Sequence, residues 1–531
     1  MYILGINPGE HDVSACVVKN GEIISFAELE KITQIKNIHY APPHEAIKSA
    51  LQNANISIDD VEKIAIGWGQ PKLSGITWNL EDPLYDEEKY INDLIPKDLF
   101  PRTKNPKIVF VPHHLSHASS GYYMSGFDDA SIVVVDGWGD NESVSVFSAK
   151  KGEIQFIKSW GFRLGNFYAS ASQYVFPGHA SEGKLMGLAS YGKFFGEELH
   201  LSDSELSSEF LLKFQTLVKS INPKKREINA EAKDLDYADF AYAVQHNFQN
   251  AVFYFVNLIK KETNSNNVIF SGGCGQNCSF NGWLTRTSSD VNLFVPPVPH
   301  DAGVSLGAAL YVDRVNVKKE KIRSAYYGRS FSNYEVEMDI LKTDIDHEYL
   351  GVEQLTKKVS LFLSEGKTVG LFQGREEIGK RALGARSFLI DPRNKENFEK
   401  LNIMKGRELW RPLAPSILEE YAEDYFYQTN LSLTDFMLGS LFVKEEARHT
   451  LPVAVHVDNT ARPQFVRKET NPFYHQLIEE FYKLTGVPVL INTSFNLAGK
   501  PIVHHPEDAI STFINSDLDV LVINNFLMTK F

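Results

Sequence analysis

The sequence is poor in cysteine and has no excess of basic residues. Its 531 residues include three cysteines, Cys16, Cys274 and Cys278, too few for the disulfide framework of a small secreted domain. We therefore expect reduced thiols and a cytoplasmic protein. Lysine and arginine total 54 against 67 aspartates and glutamates, a net charge of −13. That charge argues against broad binding to nucleic acid or to an anionic membrane.

Long hydrophobic runs are also missing. No segment approaches the ~18 consecutive apolar residues that a membrane-spanning helix requires. The opening residues, MYILGINPGEHD, lack the basic region and apolar stretch of a signal peptide. Hydrophobic residues make up 43% of the chain and charged residues 23%, which is typical of a globular protein with a large core. The length predicts roughly two to four domains.

The order of predicted strands indicates a duplicated N-terminal half. The segments MYILGIN, SACVV and IISFAE predict three strands, followed by a helix at His44–Asn53 and a strand at Glu62–Gly67. The segments ASIVVVD, SVSVFSA and IQFIKS repeat this order from Ala130 onward. Two such α/β halves are the pattern of an actin/hexokinase-like fold.

A polar, charged segment at Val315–Asn333 is the predicted linker. Beyond it, a helix, the strand TVGLFQ and a glycine-rich turn begin a second α/β unit. We therefore place one domain at residues 1–320 and another at residues 335–531. The turn GREEIGKR has the spacing of a P-loop, but Arg381 stands where a P-loop needs serine or threonine to hold magnesium. We reject the P-loop interpretation for that reason.

Two histidines in the segment HHLSH have the spacing of metal ligands. His113 and His117 share one face of the predicted helix, whereas His114 points elsewhere. Imidazole nitrogen favours zinc, iron or copper over magnesium. Asp136 follows an apolar strand and Asp301 precedes a helix of small residues, positions from which carboxylates project into clefts. Ordinary capping or turn roles are the alternative for each of these residues.

Further candidates lie in glycine-containing turns. His11, in the turn GINPGEHD, can act as a general base because imidazole titrates near neutrality. A plain hairpin with an exposed His11 is the alternative. Lys184 lies between glycines in SEGKLMG, and Gly272 and Gly273 begin the segment GGCGQN. Such turns suit close approach to a phosphate or nucleoside, although each also fits a simple turn.

Cationic and amide side chains are concentrated in the C-terminal half. They lie around turns and comprise Arg375, Arg381, Arg386, Lys405, Arg407, Arg411, Arg462, Asn492, Thr493, Ser494 and Asn496. Guanidinium groups bind phosphate through two parallel hydrogen bonds. In an acidic chain, such a cluster predicts a phosphorylated small substrate. Surface salt bridges are the alternative.

Ten motifs, taken in order, resemble those of the nodulation and antibiotic-biosynthesis carbamoyltransferases. They are GINPGEHDVSACVV, HHLSHASSGYYMSGF, VVVDGWGD, EGKLMGLASYG, SGGCGQNCSFNGWL, PHDAGVSLGAA, FQGREEIGKRALGARSFLIDPR, KGRELWRPLAPSIL, HVDNTARPQ and GVPVLINTSFNLAGKPIVHHPEDAI. The resemblance covers nearly the whole chain. It implies an N-terminal actin/hexokinase-like domain similar to the metal-binding domain of tRNA threonylcarbamoyl transferases. It also implies a C-terminal α/β domain similar to threonylcarbamoyl-adenylate synthases.

The resemblance implies a reaction in two steps. Carbamoyl phosphate and ATP give carbamoyl-adenylate in the C-terminal domain, with release of phosphate and pyrophosphate. The N-terminal domain then transfers the carbamoyl group to a hydroxyl of a secondary metabolite such as an antibiotic, with release of AMP. The expected cofactors are ATP with Mg²⁺ and a divalent metal, Fe²⁺, in the N-terminal site. The expected partners are carbamoyl phosphate and a small-molecule acceptor, with no nucleic acid and no membrane. A homodimer is the oligomeric state that stays open beside a monomer.

The resemblance also implies roles for individual residues. The metal ligands it implies are His113, His117, Asp136 and Asp301. His11 would deprotonate the acceptor. The positions that would contact nucleotide are Lys184, Gly272, Gly273 and Asn277. The positions that would form the adenylate are Lys405, Arg407, Asn492, Ser494 and Asn496. Those that would bind carbamoyl phosphate are Arg375, Arg411 and Arg462.

Four positions depart from the family's motifs, namely Lys380, Ala385, Asn459 and Lys500. None of them removes a proposed ligand, but Lys500 reverses a charge beside the segment INTSFN. Two other functions stay open at this point. One is a sugar kinase-like phosphotransferase on the same N-terminal fold, which would release ADP. The other is a non-catalytic nucleotide sensor.

Overall fold

The computed structural model describes residues 1–82, 85–161, 163–178, 181–193, 216, 234–429 and 432–531. The sequence also predicts a helix-rich stretch from about Leu201 to Glu262. Residues 201–215 and 217–233 of it lie outside the described residues, and a helix at Ala238–Thr263 confirms its later part. The described chain forms two compact units. Unit 1 consists of Met1–Ile24, His39–Ile47 and Ile56–Ile322. Unit 2 consists of Ser25–Ile38, Lys48–Asn55 and Arg323–Phe531, and so includes two segments from near the N-terminus.

The strands are numbered in chain order. Strands β1–β12 are Tyr2–Asn7, Ser14–Lys19, Glu22–Glu28, Val61–Ile66, Lys72–Leu73, Ile76–Thr77, Lys107–Phe110, Asp129–Gly139, Glu142–Lys150, Glu153–Trp160, Asn267–Ser271 and Asn292–Phe294. Strands β13–β22 are His347–Tyr349, Val369–Phe372, Arg386–Ile390, Ala414–Leu418, Leu441–Phe442, Thr460–Ala461, Gln464–Val466, Val489–Ser494, Val520–Ile523 and Phe526–Thr529.

The α-helices of the described residues are numbered in the same way. Helices α1–α9 are Leu29–Thr33, His44–Asn53, Glu87–Leu94, His113–Ser125, Leu164–Val175, Glu182–Ala189, Ala238–Thr263, Cys278–Thr287 and Ala302–Val312. Helices α10–α15 are Asn333–Ile340, Val352–Ser364, Lys395–Met404, Ala422–Tyr425, Pro472–Thr485 and Pro506–Ile514. Within the described ranges, no helix combines the length and apolar character needed to cross a bilayer.

Unit 1 is built on two five-stranded sheets with matching strand order, of which only β3 continues, from Ser25 onward, into the residues of unit 2. The first sheet has the order β3-β2-β1-β4-β7 and the second has the order β10-β9-β8-β11-β12. In each, the central strand pairs antiparallel with its hairpin neighbour and parallel with the next strand along, as β1 does with β2 and β4. Strand β8 pairs with β9 and β11 in the same way. The predicted duplication and the actin/hexokinase-like α/β fold of the N-terminal half are confirmed.

Two helices rich in small residues lie at the centre of unit 1. Helix α4 packs on β8 and β11, helix α9 packs on β1 and β2, and the two helices pack on each other. A Cβ atom at Gly307 of α9 would lie 1.8 Å from the carbonyl oxygen of Ser116 in α4. Only glycine fits at this crossing, because any side chain there would overlap the α4 backbone. The close approach brings the residue that precedes α9 beside the first turns of α4.

Unit 2 is built on one eight-stranded mixed sheet with the order β13-β22-β21-β14-β15-β20-β16-β19. Helices α11 and α14 pack together, and α15 packs on β14 and β21. Strand β14 pairs parallel with β21 and antiparallel with β15. Residues 373–385, which join β14 to β15, contain no helix. A P-loop requires a helix after its glycine-rich turn, so the rejection of a P-loop is confirmed.

We expect Gly307→Ala to destabilise the crossing of α4 and α9, because its methyl group would overlap the Ser116 carbonyl. Overpacking of this kind lowers the free energy of unfolding by about 1–3 kcal/mol, which denaturant titration would measure. The control is Gly183→Ala in α6, where a Cβ atom would meet nothing within 4 Å. That variant should keep or slightly gain stability, since alanine favours helix. Equal stability of the two variants would contradict the close crossing.

Candidate metal centre and anion-binding site

Two imidazoles and two carboxylates converge in unit 1, and we call His113, His117, Asp136 and Asp301 the metal centre. The histidines lie at the start of α4, Asp136 lies in β8, and Asp301 directly precedes α9. The two histidine Nε2 atoms are 3.2 Å apart, and the four distances from histidine Nε2 to a carboxylate oxygen range from 3.4 to 3.8 Å. All four residues are buried, and their ligand atoms lie within 4.8 Å of one another.

The four ligand atoms fit a divalent transition metal. A metal–nitrogen distance of about 2.1 Å places neighbouring ligand atoms about 3.0–3.4 Å apart, close to the distances found here. His113 Nδ1 lies 3.3 Å from the carbonyl oxygen of Gly67, so that its N–H donates there and the Nε2 lone pair faces the centre. The Nε2 atom of His117 lies 3.2 Å from that of His113, a separation that requires a proton or a cation between the two nitrogens. Imidazole with carboxylate favours iron, zinc or cobalt over magnesium.

Neighbouring residues hold the ligands in place. Asp140 Oδ2 accepts a hydrogen bond of 2.8 Å from the backbone N–H of His113. The indole of Trp68 lies against the His113 ring, with 4.1 Å between the centroids, and donates to Asn7 Oδ1 over 2.8 Å. Asn7 in turn donates to the carbonyl oxygen of Asp301 over 3.1 Å. Contacts of this kind orient metal ligands and raise their affinity.

The glycine pair at 272–273 serves the same centre. The backbone N–H of Gly273 donates to Asp136 Oδ1 over 2.9 Å. Gly272 has a φ of +87°, and a Cβ atom there would lie 2.2 Å from the carbonyl oxygen of Val135. Glycine is therefore required at 272 to bring the Gly273 N–H to the carboxylate. Contact of either glycine with a nucleotide stays a prediction.

The charged side chains of the metal centre shift one another's pKa values. Burial lowers the pKa of His113, but the carboxylates of Asp301 and Asp136 outweigh it and raise that pKa to about 10. Burial raises the pKa of both carboxyl groups, yet the two histidines hold the pKa of Asp136 and of Asp301 below the ordinary value. Both carboxylates are therefore ionised at neutral pH, which suits a bound cation.

His11 lies at the edge of the metal centre. Its Nε2 is 3.9 Å from Asp301 Oδ2, its Nδ1 is 3.1 Å from Asp12 Oδ2, and its side chain is 47% exposed. The hydrogen bond with Asp12, together with the charges of Asp301 and Asp136, raises the pKa of His11 to about 9 against the effect of burial. The imidazole is protonated at neutral pH in this arrangement. A cation held by Asp301 and Asp136 would offset part of that rise.

Asn277 and Lys184 lie in unit 1 with local contacts. Asn277 Oδ1 accepts from the N–H of Phe280 over 2.9 Å and so caps α8. Its amide also pairs with that of Gln245 through bonds of 3.0 and 3.1 Å. The Lys184 ammonium lies 5.5 Å from the centre of the Phe176 ring. These contacts give Asn277 a structural role, and nucleotide binding by either residue stays a prediction.

Five cationic residues of unit 2 lie close together, and we call them the cation cluster: Lys405, Arg407, Arg411, Arg462 and Arg381. Burial, followed by repulsion from Arg411, Arg462 and Arg381, holds the pKa of Arg407 well below its ordinary value. Burial also lowers the pKa of Arg411, and the repulsion of Arg462 adds to this shift, although Glu408 opposes it. Such shifts arise where cations lack enough counter-charge.

Hydrogen bonding within the cation cluster leaves donors available. The Nε atoms of Arg407 and Arg462 are buried with no hydrogen-bond partner among the described residues. Arg411 Nη1 donates to Glu408 over 3.2 Å, and Arg407 Nη2 donates to the carbonyl oxygen of Pro412 over 2.7 Å. Buried guanidinium donors favour a ligand that offers several anionic oxygens.

Lys405 is directed at the turn that follows β20. Its Nζ donates to the carbonyl oxygens of Ser494 and Asn496 over 2.5 and 2.7 Å and to Asn496 Oδ1 over 3.1 Å. Ser494 Oγ donates to Asn496 Oδ1 over 2.5 Å. Burial, with repulsion from Arg407 and Arg411, lowers the pKa of Lys405 well below its ordinary value. The ammonium form has three N–H donors, and all three acceptors lie in this turn, so the side chain stabilises the conformation of the turn.

Other predicted residues of the C-terminal half bind backbone atoms. Arg375 donates to the carbonyl oxygens of Tyr327 and Gly328 over 2.6 and 3.1 Å. Arg386 is fully buried over the Phe372 ring, 3.6 Å from its centre. Its guanidinium donates to four carbonyl oxygens, those of Gln373, Gly374, Ala385 and Arg329, over 3.0–3.3 Å. Substrate binding by Arg375 stays a prediction.

Two family models match the chain, the carbamoyltransferase N-terminus over residues 73–310 and the carbamoyltransferase C-terminus over residues 360–530. Nodulation protein NolNO of Sinorhizobium fredii is 32% identical over 542 residues, which cover 98% of this chain and 79% of that protein. The chain belongs to the carbamoyltransferase family. Nodulation protein NolO of Bradyrhizobium diazoefficiens is 34% identical over 79% of this chain and 78% of its own length. Nodulation protein U of Rhizobium tropici is 25% identical over 100% of this chain and 96% of its own length.

The resemblance read from the ordered motifs is confirmed, and the protein is a transferase of carbamoyl groups. Neither the phosphotransferase nor the sensor alternative is favoured by these matches. Sequence reasoning missed three residues of this carbamoyltransferase that support its metal centre, namely Asn7, Trp68 and Asp140. Two of them lie inside quoted motifs, GINPG and GWGD, but nothing in a motif shows which ligand a neighbouring side chain supports.

We expect His113→Gln and His117→Gln to lose bound metal, because each removes an Nε2 ligand from the centre. The matched control is His114→Gln on the same helix, since His114 Nδ1 lies 2.6 Å from Ser145 Oγ and outside the metal centre. The measurement is metal content by mass spectrometry after exposure to Fe²⁺, Zn²⁺ or Co²⁺ and gel filtration. Equal retention of metal by all three variants would contradict the ligand assignment.

Proposed function

We propose that this carbamoyltransferase forms carbamoyl-adenylate at the cation cluster of unit 2 and transfers its carbamoyl group at the metal centre of unit 1. The cation cluster carries the proposal. The Nε donors of Arg407 and Arg462 are buried there with no hydrogen-bond partner among the described residues, and Glu408 pairs with Arg411, in a protein whose net charge is −13. Such a site is stabilised by a ligand with several anionic oxygens, a description that both carbamoyl phosphate and ATP fit.

The first step of the proposed reaction consumes carbamoyl phosphate and ATP. Water cleaves carbamoyl phosphate to carbamate and phosphate. A carbamate oxygen then attacks the α-phosphorus of ATP, the bond to the pyrophosphate oxygen breaks, and carbamoyl-adenylate forms. Arg407, Arg411 and Arg462 bind the anionic oxygens and stabilise the charge on the departing pyrophosphate. Mg²⁺ accompanies ATP, whose phosphate oxygens are its ligands.

The contacts of Lys405 suggest a positioning role in this step. Its ammonium protons are directed at Ser494 and Asn496, so it shapes the turn after β20. Asn492 donates to the carbonyl oxygen of Ala382 over 3.1 Å and so holds the residue next to Arg381. In this proposal Arg407 keeps the catalytic role expected from the sequence. Lys405 instead positions the turn after β20, and Asn492 positions the backbone next to Arg381.

The second step transfers the carbamoyl group to an acceptor. We propose a hydroxyl of a small secondary metabolite as the acceptor: its oxygen attacks the carbamoyl carbon, the bond to the AMP phosphate oxygen breaks, and AMP leaves. In its neutral form, which a cation held by Asp301 and Asp136 favours, His11 beside Asp301 receives the hydroxyl proton. His113, His117, Asp136 and Asp301 would hold a divalent metal, for which we propose Fe²⁺, and it would supply Lewis-acid stabilisation of the adenylate phosphate. Asp136 and Asp301 remain ionised and orient the histidines that face them.

Two substitutions should separate the steps. With carbamoyl phosphate and ATP, we expect His113→Gln to release pyrophosphate at the wild-type rate but to transfer no carbamoyl group. Arg407→Met should lower pyrophosphate release by about 10-fold or more, the worth of one charge-assisted hydrogen bond. The control is Arg329→Met, because the Arg329 guanidinium pairs with Glu335 outside the cation cluster. Pyrophosphate and AMP would be measured by enzyme-coupled assay.

Other products or rates would contradict the proposal. Formation of ADP in place of AMP and pyrophosphate would support a phosphotransferase. Loss of pyrophosphate release in a folded His113→Gln variant would mean that adenylate formation needs the metal centre. An unchanged rate in Arg407→Met would remove the cation cluster from the first step.

A further inference from the structure

A buried ionic cluster in unit 2 is not used by the reaction above. It joins Glu28 and Lys31, from the segment Ser25–Ile38, to Glu376 and its neighbour Glu377. The Lys31 ammonium lies 2.6 Å from Glu28 Oε2 and donates to the carbonyl oxygen of Glu377 over 2.8 Å. Glu376 Oε1 is 4.0 Å from the same ammonium. All these side chains are buried, so the cluster is isolated from solvent.

Carboxylates of the ionic cluster accept hydrogen bonds from backbone N–H groups of the turn between β14 and β15. Glu28 Oε2 accepts from the N–H of Gly379 over 3.0 Å. Glu377 Oε1 accepts from the N–H groups of Leu383 and Arg386 over 2.7 and 3.1 Å. The contact of Glu28 with Gly379 joins residues that lie more than 300 positions apart in the sequence. It fixes a glycine with a φ of +83°, where the backbone has the freedom to adopt other conformations.

The turn held in this way carries Arg381, a member of the cation cluster. Arg381 lies two residues after Gly379, which Glu28 binds, and one residue before Ala382, which Asn492 binds. The Nε atom of Arg381 is buried, and its charge is one of those that depress the pKa of Arg407. A shift of the backbone at Gly379 would therefore move this guanidinium relative to Arg407.

We propose that Glu28 is a positioning residue of the anion-binding site, which acts through the Gly379 N–H to place Arg381, and that Lys31 balances its buried charge. The segment Ser25–Ile38 is thus a working part of unit 2 although it lies near the N-terminus in sequence. Lys36 of the same segment is close enough to Lys405 to lower the pKa of that lysine, which places the segment at the border of the cation cluster. The choice of ATP as the ligand rests on the proposed function.

Single substitutions cannot test this role cleanly. Removal of Glu28 alone would leave the Lys31 ammonium buried without its closest partner, and this destabilises any fold. We therefore compare two double variants of the full chain, Glu28→Gln/Lys31→Met and Glu28→Leu/Lys31→Met. Both variants remove the buried charges of Glu28 and Lys31. Only glutamine keeps an oxygen that accepts from the Gly379 N–H.

The measurement is the dissociation constant for ATP by calorimetry at constant salt, with the thermal unfolding transition of each variant recorded beside it. We expect the glutamine variant to bind ATP within about twofold of wild type. The leucine variant should bind about 10-fold more weakly, the worth of one misplaced charge-assisted hydrogen bond, while its metal content stays unchanged. Equal affinities of the two folded variants would overturn the proposal, because a merely structural role would not distinguish them.

A second substitution keeps the test decisive if the leucine variant fails to fold. Arg381→Gln should weaken ATP binding in the otherwise unchanged chain, and an unaltered affinity would overturn the proposal. If the leucine variant does fold, Arg381→Gln added to it should cause little further loss, since the guanidinium is already misplaced; a full additional loss would contradict positioning through Arg381.

The outcomes also separate this inference from the proposed function. Binding of ATP without any pyrophosphate release would contradict the proposed reaction and leave the positioning role standing. A wild-type protein that binds neither ATP nor inorganic pyrophosphate would contradict both. Normal catalysis with equal affinities in the two double variants would contradict the positioning role alone.

Discussion

Repulsion between like charges held close together is the constraint on which both sites depend. In unit 1 the carboxylates of Asp136 and Asp301 lie within the same buried group of ligand atoms, opposite His113 and His117. In unit 2 the charges of Arg411, Arg462 and Arg381 repel that of Arg407, and Glu408 offsets this repulsion only in part. Burial removes the water that would screen these like charges. A ligand of the opposite sign stabilises each arrangement further, a cation in the first and an anion in the second.

The fold supplies the rigidity that such groups require. The crossing of α4 and α9 is so close that only glycine fits at position 307, and this crossing sets the distance between Asp301 and the histidines. In unit 2 buried carboxylates and amides bind the backbone of the turn after β14 from several sides. Strain at a site persists only where the surroundings determine it from more than one direction. The duplicated sheets and the mixed sheet provide those surroundings.

The sequence predicts the local parts of this structure well. Strand patterns gave the duplicated halves, and the four-residue spacing of His113 and His117 placed both on one face of α4. What it cannot show is where a side chain is directed once distant segments meet. Arg375 and Arg386 share a motif with Arg381 but bind backbone carbonyls. The contact of Glu28 with Gly379 joins segments far apart in the chain, and no periodicity or spacing encodes it.

The most direct test of the account is a crystal structure of the protein with a non-hydrolysable ATP analogue, carbamoyl phosphate and Fe²⁺. The account predicts phosphate density against Arg407, Arg411 and Arg462, and an anomalous iron signal between His113 and His117. Triphosphate density confined to unit 1, with the cation cluster of unit 2 free of any anion, would contradict it.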